Sequence, residues 1–386
     1  MEGALTVAAF DLTPEQHQLV ADVRRLAHEV LAPIAARGAP GQVNRELVKQ
    51  LGDLGLLSRL FPGVGTRSRQ AAALDLCLLR EALAAGSTEA ETALALQGLG
   101  TYPVLHSGSD EQTARWVPAV AIGDAVAGFA LSEPDSGSDA AALSLGAETD
   151  GEGWRLTGEK TWISNAPEAD FYSVFARTTP DAGSSGVTAF VVPGDRIGLT
   201  GEHLEMLSPH PIGRLVFDGV RVDHDDLLGH ADQGFAVAMR TLDLFRPSVG
   251  AFAVGMAQAA LEAAVDHAGS RVAFGAPLRA MQSVGHTLAE MATRTETARV
   301  MVYRAGAAYD EGRPGISTSS AMAKLVATET AQYVVDAAIQ IHGAKALVRG
   351  HLLEHLYREV RAPRIYEGAT EVQRSIIARD LYRGAG

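Results

Sequence analysis

The sequence predicts a mainly α protein with a central β domain, its parts following one another in the order α, β, α. Three observations carry the prediction. Apolar residues recur at helical spacing through roughly residues 1–124. From about Gly123 to Gly229 the chain turns rich in Gly, Pro, Asp and Thr, with short alternating stretches. After Gly229 the helical period returns and persists. The expected division is an N-terminal helical domain (1–124), a middle antiparallel β domain (125–229) and a C-terminal helical bundle domain (230–386). A chain of 386 residues can supply two or three such cores.

The elements follow in order. Thr13-Pro14-Glu15-Gln16 is a capping box, with Thr13 as N-cap, Pro14 at N1 and Gln16 at N3. Leu19, Val20, Val23, Leu26 and Val30 then recur at helical spacing until Pro33, where the helix is expected to stop. A second amphipathic run covers residues 47–57, broken by Gly52 and Gly55, and residues 71–85 read as a largely buried helix. In the middle third, Asp150-Gly151-Glu152-Gly153 is a hairpin signal. Residues 171–175, 187–192 and 214–217 read as strands. Beyond Gly229, residues 252–267, 281–309, 321–341 and 371–381 read as helices, with Pro314 in the linker before the third.

Composition excludes several classes. The formal charge of -13 argues against non-specific nucleic-acid binding, though local arginines and helix N-termini can still hold a phosphate. No stretch approaches ~18 unbroken apolar residues, and residues 1–10 show no basic secretory leader. A cytoplasmic protein with no membrane partner is expected. One cysteine, Cys77, rules out an internal disulfide framework and a multi-cysteine metal site; it stands in an apolar run and is expected to pack there.

Four segments carry more polar and glycine detail than packing needs. Residues 131–139, LSEPDSGSD, expose backbone N–H groups and hydroxyls that can cradle a phosphate or contact a cofactor ring; an ordinary polar loop would look the same. In residues 158–165, GEKTWISN, the indole of Trp162 could wall a flat ring or fill the β core. Arg271-Val272-Ala273-Phe274-Gly275 places an arginine at a helix end, able to fork onto a pyrophosphate or simply to be solvated. In Ile365-Tyr366-Glu367-Gly368, a carboxylate follows two bulky side chains. Burial would raise its pKa toward the working pH, which suits a general base, although most of the 46 acidic residues are expected to be solvated.

Together, and in this order, these segments resemble the acyl-CoA dehydrogenase family. LSEPDSGSD, GEKTWISNA, DAAIQIHGA and IYEGATEVQRSIIARDL carry the resemblance, which spans nearly the whole chain. It implies an N-terminal helical domain, a middle β domain and a C-terminal four-helix bundle, a homotetramer, and FAD held partly by a neighbouring subunit. By position, Glu367 matches the catalytic base. Leu131, Ser132, Gly137 and Ser138 match the flavin loop, with Ser138 also near substrate. Trp162, Ile163 and Ser164 match the strand against the isoalloxazine. Arg271, Phe274 and Gln282 match the contacts made across the subunit interface, and Gln340, Gly343 and Ala344 the adenosine loop. Ala369 and Glu371 follow the base on the cofactor side, whereas Asp243, Arg246 and Gly368 match substrate positions. No metal is implied.

The sequence departs from the family pattern at three places. His342-Gly343-Ala344-Lys345-Ala346-Leu347 lacks two of the usual glycines. Ala369 replaces a frequent threonine, and Leu207-Ser208-Pro209-His210-Pro211 replaces a turn that bears glycine and arginine. Phe245 stands where some relatives carry the base, which favours Glu367. The implied reaction is α,β-dehydrogenation of an acyl-CoA, with electrons leaving to an electron-transferring flavoprotein. An oxygen-using acyl-CoA oxidase and a non-enzymatic binding protein of the same fold are the alternatives.

Overall fold

Thr13 caps the first helix as its spacing requires. In the computed structural model, which describes residues 12–61 and 72–383, the Thr13 hydroxyl accepts from the Gln16 N–H and the Gln16 side chain accepts from the Thr13 N–H. Helix α1 (Pro14–Leu26) does not end at Pro33. A π-helical turn (Ala27–Leu31) leads into a short α2 (Ala32–Ala35), and Pro33 falls within its first turn, where a missing N–H costs no helical bond. Asn44 caps α3 (Arg45–Asp53), which Gly55 ends at φ +72°. Helix α4 (Ala73–Ala84) is buried almost throughout, as its apolar run predicts, and Cys77 packs in the same core; residue 71 and residues 1–10 lie outside the described residues. Helices α5 (Thr88–Ser107) and α6 (Asp110–Ala121) complete the N-terminal part.

The middle strands are β1 (Ala127–Ala130), β2 (Gly146–Asp150), β3 (Gly153–Ser164), β4 (Phe171–Arg177), β5 (Val187–Pro193), β6 (Leu199–His203) and β7 (Ile212–Val222). The predicted hairpin forms, with Asp150 paired to Gly153 and Gly151 at φ +66°. One expectation is corrected: the sheet is mixed. Most pairs are antiparallel, but β1 pairs parallel to β4, Ala127 opposite Phe171. The long crossover between them, which contains the β2–β3 hairpin, is what permits parallel pairing. Strand β4 is buried on both faces and central, flanked by β1, β2 and β5.

Helix α7 (Gly234–Ser270) runs 37 residues. By length and composition it could cross a bilayer, yet 72% of its apolar window is buried inside the protein, as in a core helix. A two-strand hairpin, β8 (Val272–Ala273) and β9 (Ala276–Pro277), follows it. Then come α8 (Gln282–Asp310), α9 (Ile316–His342), α10 (Leu352–Glu359) and α11 (Thr370–Arg383). The described chain forms two compact units that interleave along the sequence. One gathers α1, α4, α7 from Arg246 onward and α8–α11 around a core of small and aliphatic residues such as Ala257, Met291, Val302 and Val334. The other gathers α2, α3, α5 from Thr92, α6 and the large sheet, with Phe171, Phe175, Phe190 and Phe217 in its core.

Candidate active site

In the first unit, Glu367 occupies the turn that leads into α11. Its backbone is left-handed, φ +51°, a conformation that costs an L residue on the order of 1–2 kcal/mol unless its surroundings enforce it. Side chains from three helices supply that enforcement. Lys324 Nζ, from α9, donates to the carbonyl oxygens of Tyr366 at 2.9 Å and Gly368 at 2.6 Å. Arg246 Nε, from α7, donates to the Glu367 carbonyl at 3.3 Å. Gln373 Nε2, from α11, donates to the same oxygen at 3.3 Å and to the Gly368 carbonyl at 2.8 Å. Gly368 sits at φ +93°, and a Cβ there would lie 2.5 Å from Gln373 Nε2. Only glycine fits both the dihedral and the space.

The Glu367 carboxylate is held differently from its backbone. Its Oε2 is sealed from solvent and has no hydrogen-bond partner. Burial pushes the carboxyl above its usual range, against the opposing charges of Arg80, Lys324 and Arg246. Arg80 is itself buried; it pairs with Glu91 and donates to Ser248 Oγ at 2.7 Å. Burial pushes Lys324 down to about 8, with Glu367 holding it up. A carboxylate of raised basicity, with one oxygen sealed and unpartnered in the field of three cations, can accept a proton from a weak acid. Arg80, Lys324 and Gln373 were not predicted, because their relation to Glu367 exists only once the helices pack.

In the second unit, the Ser- and Gly-rich loop lies against β3. The Thr161 N–H donates to the Ser132 carbonyl at 3.0 Å. Lys160 Nζ donates to the Leu131 carbonyl at 2.9 Å and pairs with Glu133 at 2.8 Å. Glu133 also accepts from the N–H groups of Ser144, at 2.6 Å, and Leu145, at 2.9 Å. Burial pushes Lys160 down to about 8, and Glu133 is held below its usual range because Lys160 and these donors outweigh its own burial. At neutral pH both are charged. Leu131 is buried, while Gly137 and Ser138 are exposed at the rim. Trp162 does not fill the core: it is 50% exposed, at φ +56°, where the β3–β7 register shifts between Lys160 and Ile163. Ile163 turns inward and is buried; Ser164 is half-buried. Asp243, half-buried, lies one turn before Arg246 on α7.

Back in the first unit, Arg271 starts the β8–β9 hairpin and Phe274 is its tip, 96% exposed at φ +52°, with Gln282 opening α8. Gln340, Gly343 and Ala344 are exposed at the end of α9. The structure ties these segments by a stack of the His267 and His342 rings, 4.1 Å between centroids, with His351 edge-on at 5.5 Å. Gly343, at φ +66°, ends the helix, and Ala344 enters a 3₁₀ turn that tolerates its methyl. Ala369 is half-buried beside the Glu367 turn, but Glu371 is exposed and faces Arg374 at 4.0 Å, away from the Glu367 carbonyl network.

The chain matches the family descriptions for the acyl-CoA dehydrogenase N-terminal domain over residues 13–124, the middle domain over 128–220 and the C-terminal domain over 232–382. It is 34% identical over 378 residues to cyclohexane-1-carbonyl-CoA dehydrogenase of Geobacter metallireducens, covering 97% of this chain and 99% of that protein. It is 38% identical over 384 residues to the human mitochondrial short-chain specific acyl-CoA dehydrogenase, covering 96% and 91%. The butyryl-CoA dehydrogenase structure from Megasphaera elsdenii superposes with a TM-score of 0.90 at 31% identity, over 97% of this chain and 99% of that one. Solved neighbours include an FAD complex of PigA, at a TM-score of 0.90 and 28% identity over 97% and 99% of the two chains. This chain is a member of the acyl-CoA dehydrogenase family of flavoprotein oxidoreductases.

Proposed function

We propose that the protein dehydrogenates an acyl-CoA thioester to the trans-2-enoyl-CoA, with Glu367 taking the α-proton. The sealed, unpartnered Glu367 Oε2 carries this reading. A thioester α-proton is weakly acidic, and a carboxylate of raised basicity held away from water is a matched acceptor for it. The backbone N–H of Glu367 would donate to the thioester carbonyl as negative charge develops there. The left-handed turn, gripped through its carbonyls, keeps that N–H and the carboxylate in one fixed relation. Asp243, Arg246, Gly368 and Ser138 are the proposed substrate contacts.

The residues fit FAD on two observations. The half-exposed Trp162 indole is presented outward by a left-handed bulge, a costly way to place an aromatic that faces only water. The adjoining loop, braced by Glu133 and Lys160, offers Leu131, Ser132, Gly137 and Ser138. With Ile163 and Ser164 these residues would hold the flavin end. Arg271, Phe274, Gln282, Gln340, Gly343 and Ala344 would hold the adenosine and phosphate end from a second copy, in a homotetramer. When bound, FAD supplies the acceptor for the substrate's β-hydrogen as hydride. An electron-transferring flavoprotein is the proposed onward acceptor.

The test is anaerobic titration of the FAD-loaded protein with acyl-CoAs of differing chain type, following oxidised-flavin absorbance. Bleaching by an acyl-CoA is expected, and Glu367→Gln is expected to keep its FAD while slowing bleaching about 10²–10⁴-fold. Normal bleaching in that variant would sink the assignment of Glu367.

A further inference from the structure

Lys324 is a buried cation on α9 whose two resolved hydrogen bonds both go to backbone carbonyls, those of Tyr366 and Gly368 on either side of Glu367. Arg246 and Gln373 hold the carbonyl between them. Three consecutive carbonyl oxygens are thus gripped by side chains from α7, α9 and α11, and the residue at their centre is the one in the left-handed conformation. No donor reaches Glu367 Oε2. Lys324 therefore acts on Glu367 through its backbone and through its field, leaving that oxygen open to receive a proton.

Other charged groups act on Glu367, Lys324 or Tyr366 from the elements packed around them. Arg80 of α4 is bonded to Glu91 and Ser248. Glu329 of α9 is engaged by Arg364 at 3.0 Å and by the Thr370 hydroxyl at 3.0 Å. Burial pushes the Tyr366 hydroxyl up, so it stays neutral, and Glu359 of α10, which acts on it, is buried 3.9 Å from His355. Arg246 of α7 is bonded to the Glu367 carbonyl.

We infer that Lys324 is a positioning residue for the proposed reaction: it fixes the Glu367 turn and supplies positive charge that keeps the Glu367 carboxylate ionised. The inference rests on Glu367 being the proton acceptor. Burial already drives Lys324 down to about 8, so the field is present at neutral pH and fades in mildly alkaline solution, while the neutral amine still donates to both carbonyls. Removing the ammonium group leaves burial less opposed, so Glu367 rises further.

The test compares wild type, Lys324→Met, Lys324→Arg and Glu367→Gln as FAD-loaded proteins. The readout is the pH dependence of anaerobic flavin reduction by butyryl-CoA, alongside FAD content. Lys324→Met is expected to keep FAD and to move the acid limb of the profile upward by about one pH unit, a tenfold loss at a fixed pH on that limb. Much of the rate should return on the alkaline side, and Lys324→Arg should restore the wild-type limb. An unmoved limb with a uniform loss at every pH, or no loss, would overturn the role. If Lys324→Met does not fold, Lys324→Gln carries the same comparison, and failure of both to fold would assign Lys324 to stability alone. Normal reduction by Glu367→Gln would instead remove the base assignment, whatever Lys324 does.

Discussion

At the scale of single residues, the Glu367 turn concentrates opposing requirements. The half-buried Glu367 keeps one carboxylate oxygen, Oε2, sealed and without a hydrogen-bond partner, and desolvation raises its pKa, which costs stability whenever it is ionised. The folded-state value lies above the ordinary one. The group's stability contribution is therefore full below the ordinary carboxylate range and is lost as pH rises through the raised value. Glu367→Gln keeps the shape and removes the charge, so it should melt at a higher temperature than wild type at neutral pH. That difference should shrink as pH falls toward the ordinary carboxylate range; melting curves across pH check it. Gly368→Ala should act the opposite way. It forces a left-handed alanine whose Cβ lies 2.5 Å from Gln373 Nε2, and a loss of about 1–3 kcal/mol is expected by denaturant unfolding.

At the scale of elements, two features decide how the pieces meet. Helix α3 contains Gly52 at a position where a Cβ would run into the Ile122 carbonyl beyond α6. In an exposed helix, Gly→Ala gains up to about 1 kcal/mol; here Gly52→Ala should lower stability instead, since the collision is with backbone that cannot swing away. Thermal melting distinguishes the signs. The second feature is the Glu133–Lys160 pair, which fastens the Ser- and Gly-rich loop to β3. Lys160→Met leaves Glu133 buried without its cation, and a loss of about 3–5 kcal/mol is expected. Weaker retention of FAD on gel filtration should accompany it, because the loop that presents Ser132 and Ser138 loses its anchor. A loop needing no such brace would keep its flavin.

For the whole molecule, the exposed hairpin tip is the telling feature. Phe274 is 96% exposed and left-handed, so an isolated chain spends both apolar surface and backbone strain on it. In the proposed homotetramer a neighbouring copy covers this tip. Phe274→Gly should relieve the strain yet weaken assembly; light scattering should find four chain masses for wild type and a smaller species on dilution of the variant. The net charge of -13 keeps such an assembly soluble without directing it.

Much of this architecture was legible in the amino-acid order because its causes are local. The Thr13 capping box, the Asp150–Gly153 hairpin, the buried α4 and the long helices after Gly229 each follow from neighbours a few residues apart. Glu367 stood out only through the family resemblance of the YEG segment, not through its local neighbours. Other features depend on groups far apart in sequence. Pro33 reads as a stop in the amino-acid order because the π-helical turn that resets the hydrogen bonding before it leaves no signature there. The parallel pairing of β1 with β4 joins strands separated by a whole hairpin. Around Glu367, Lys324 acts from 42 and 44 residues away and Arg246 from 121. The sequence by itself determined most of the elements, and its resemblance to the family pointed to the carboxylate; tertiary packing alone decided which cations surround it, because a charge at helix spacing looks solvated until another helix closes over it.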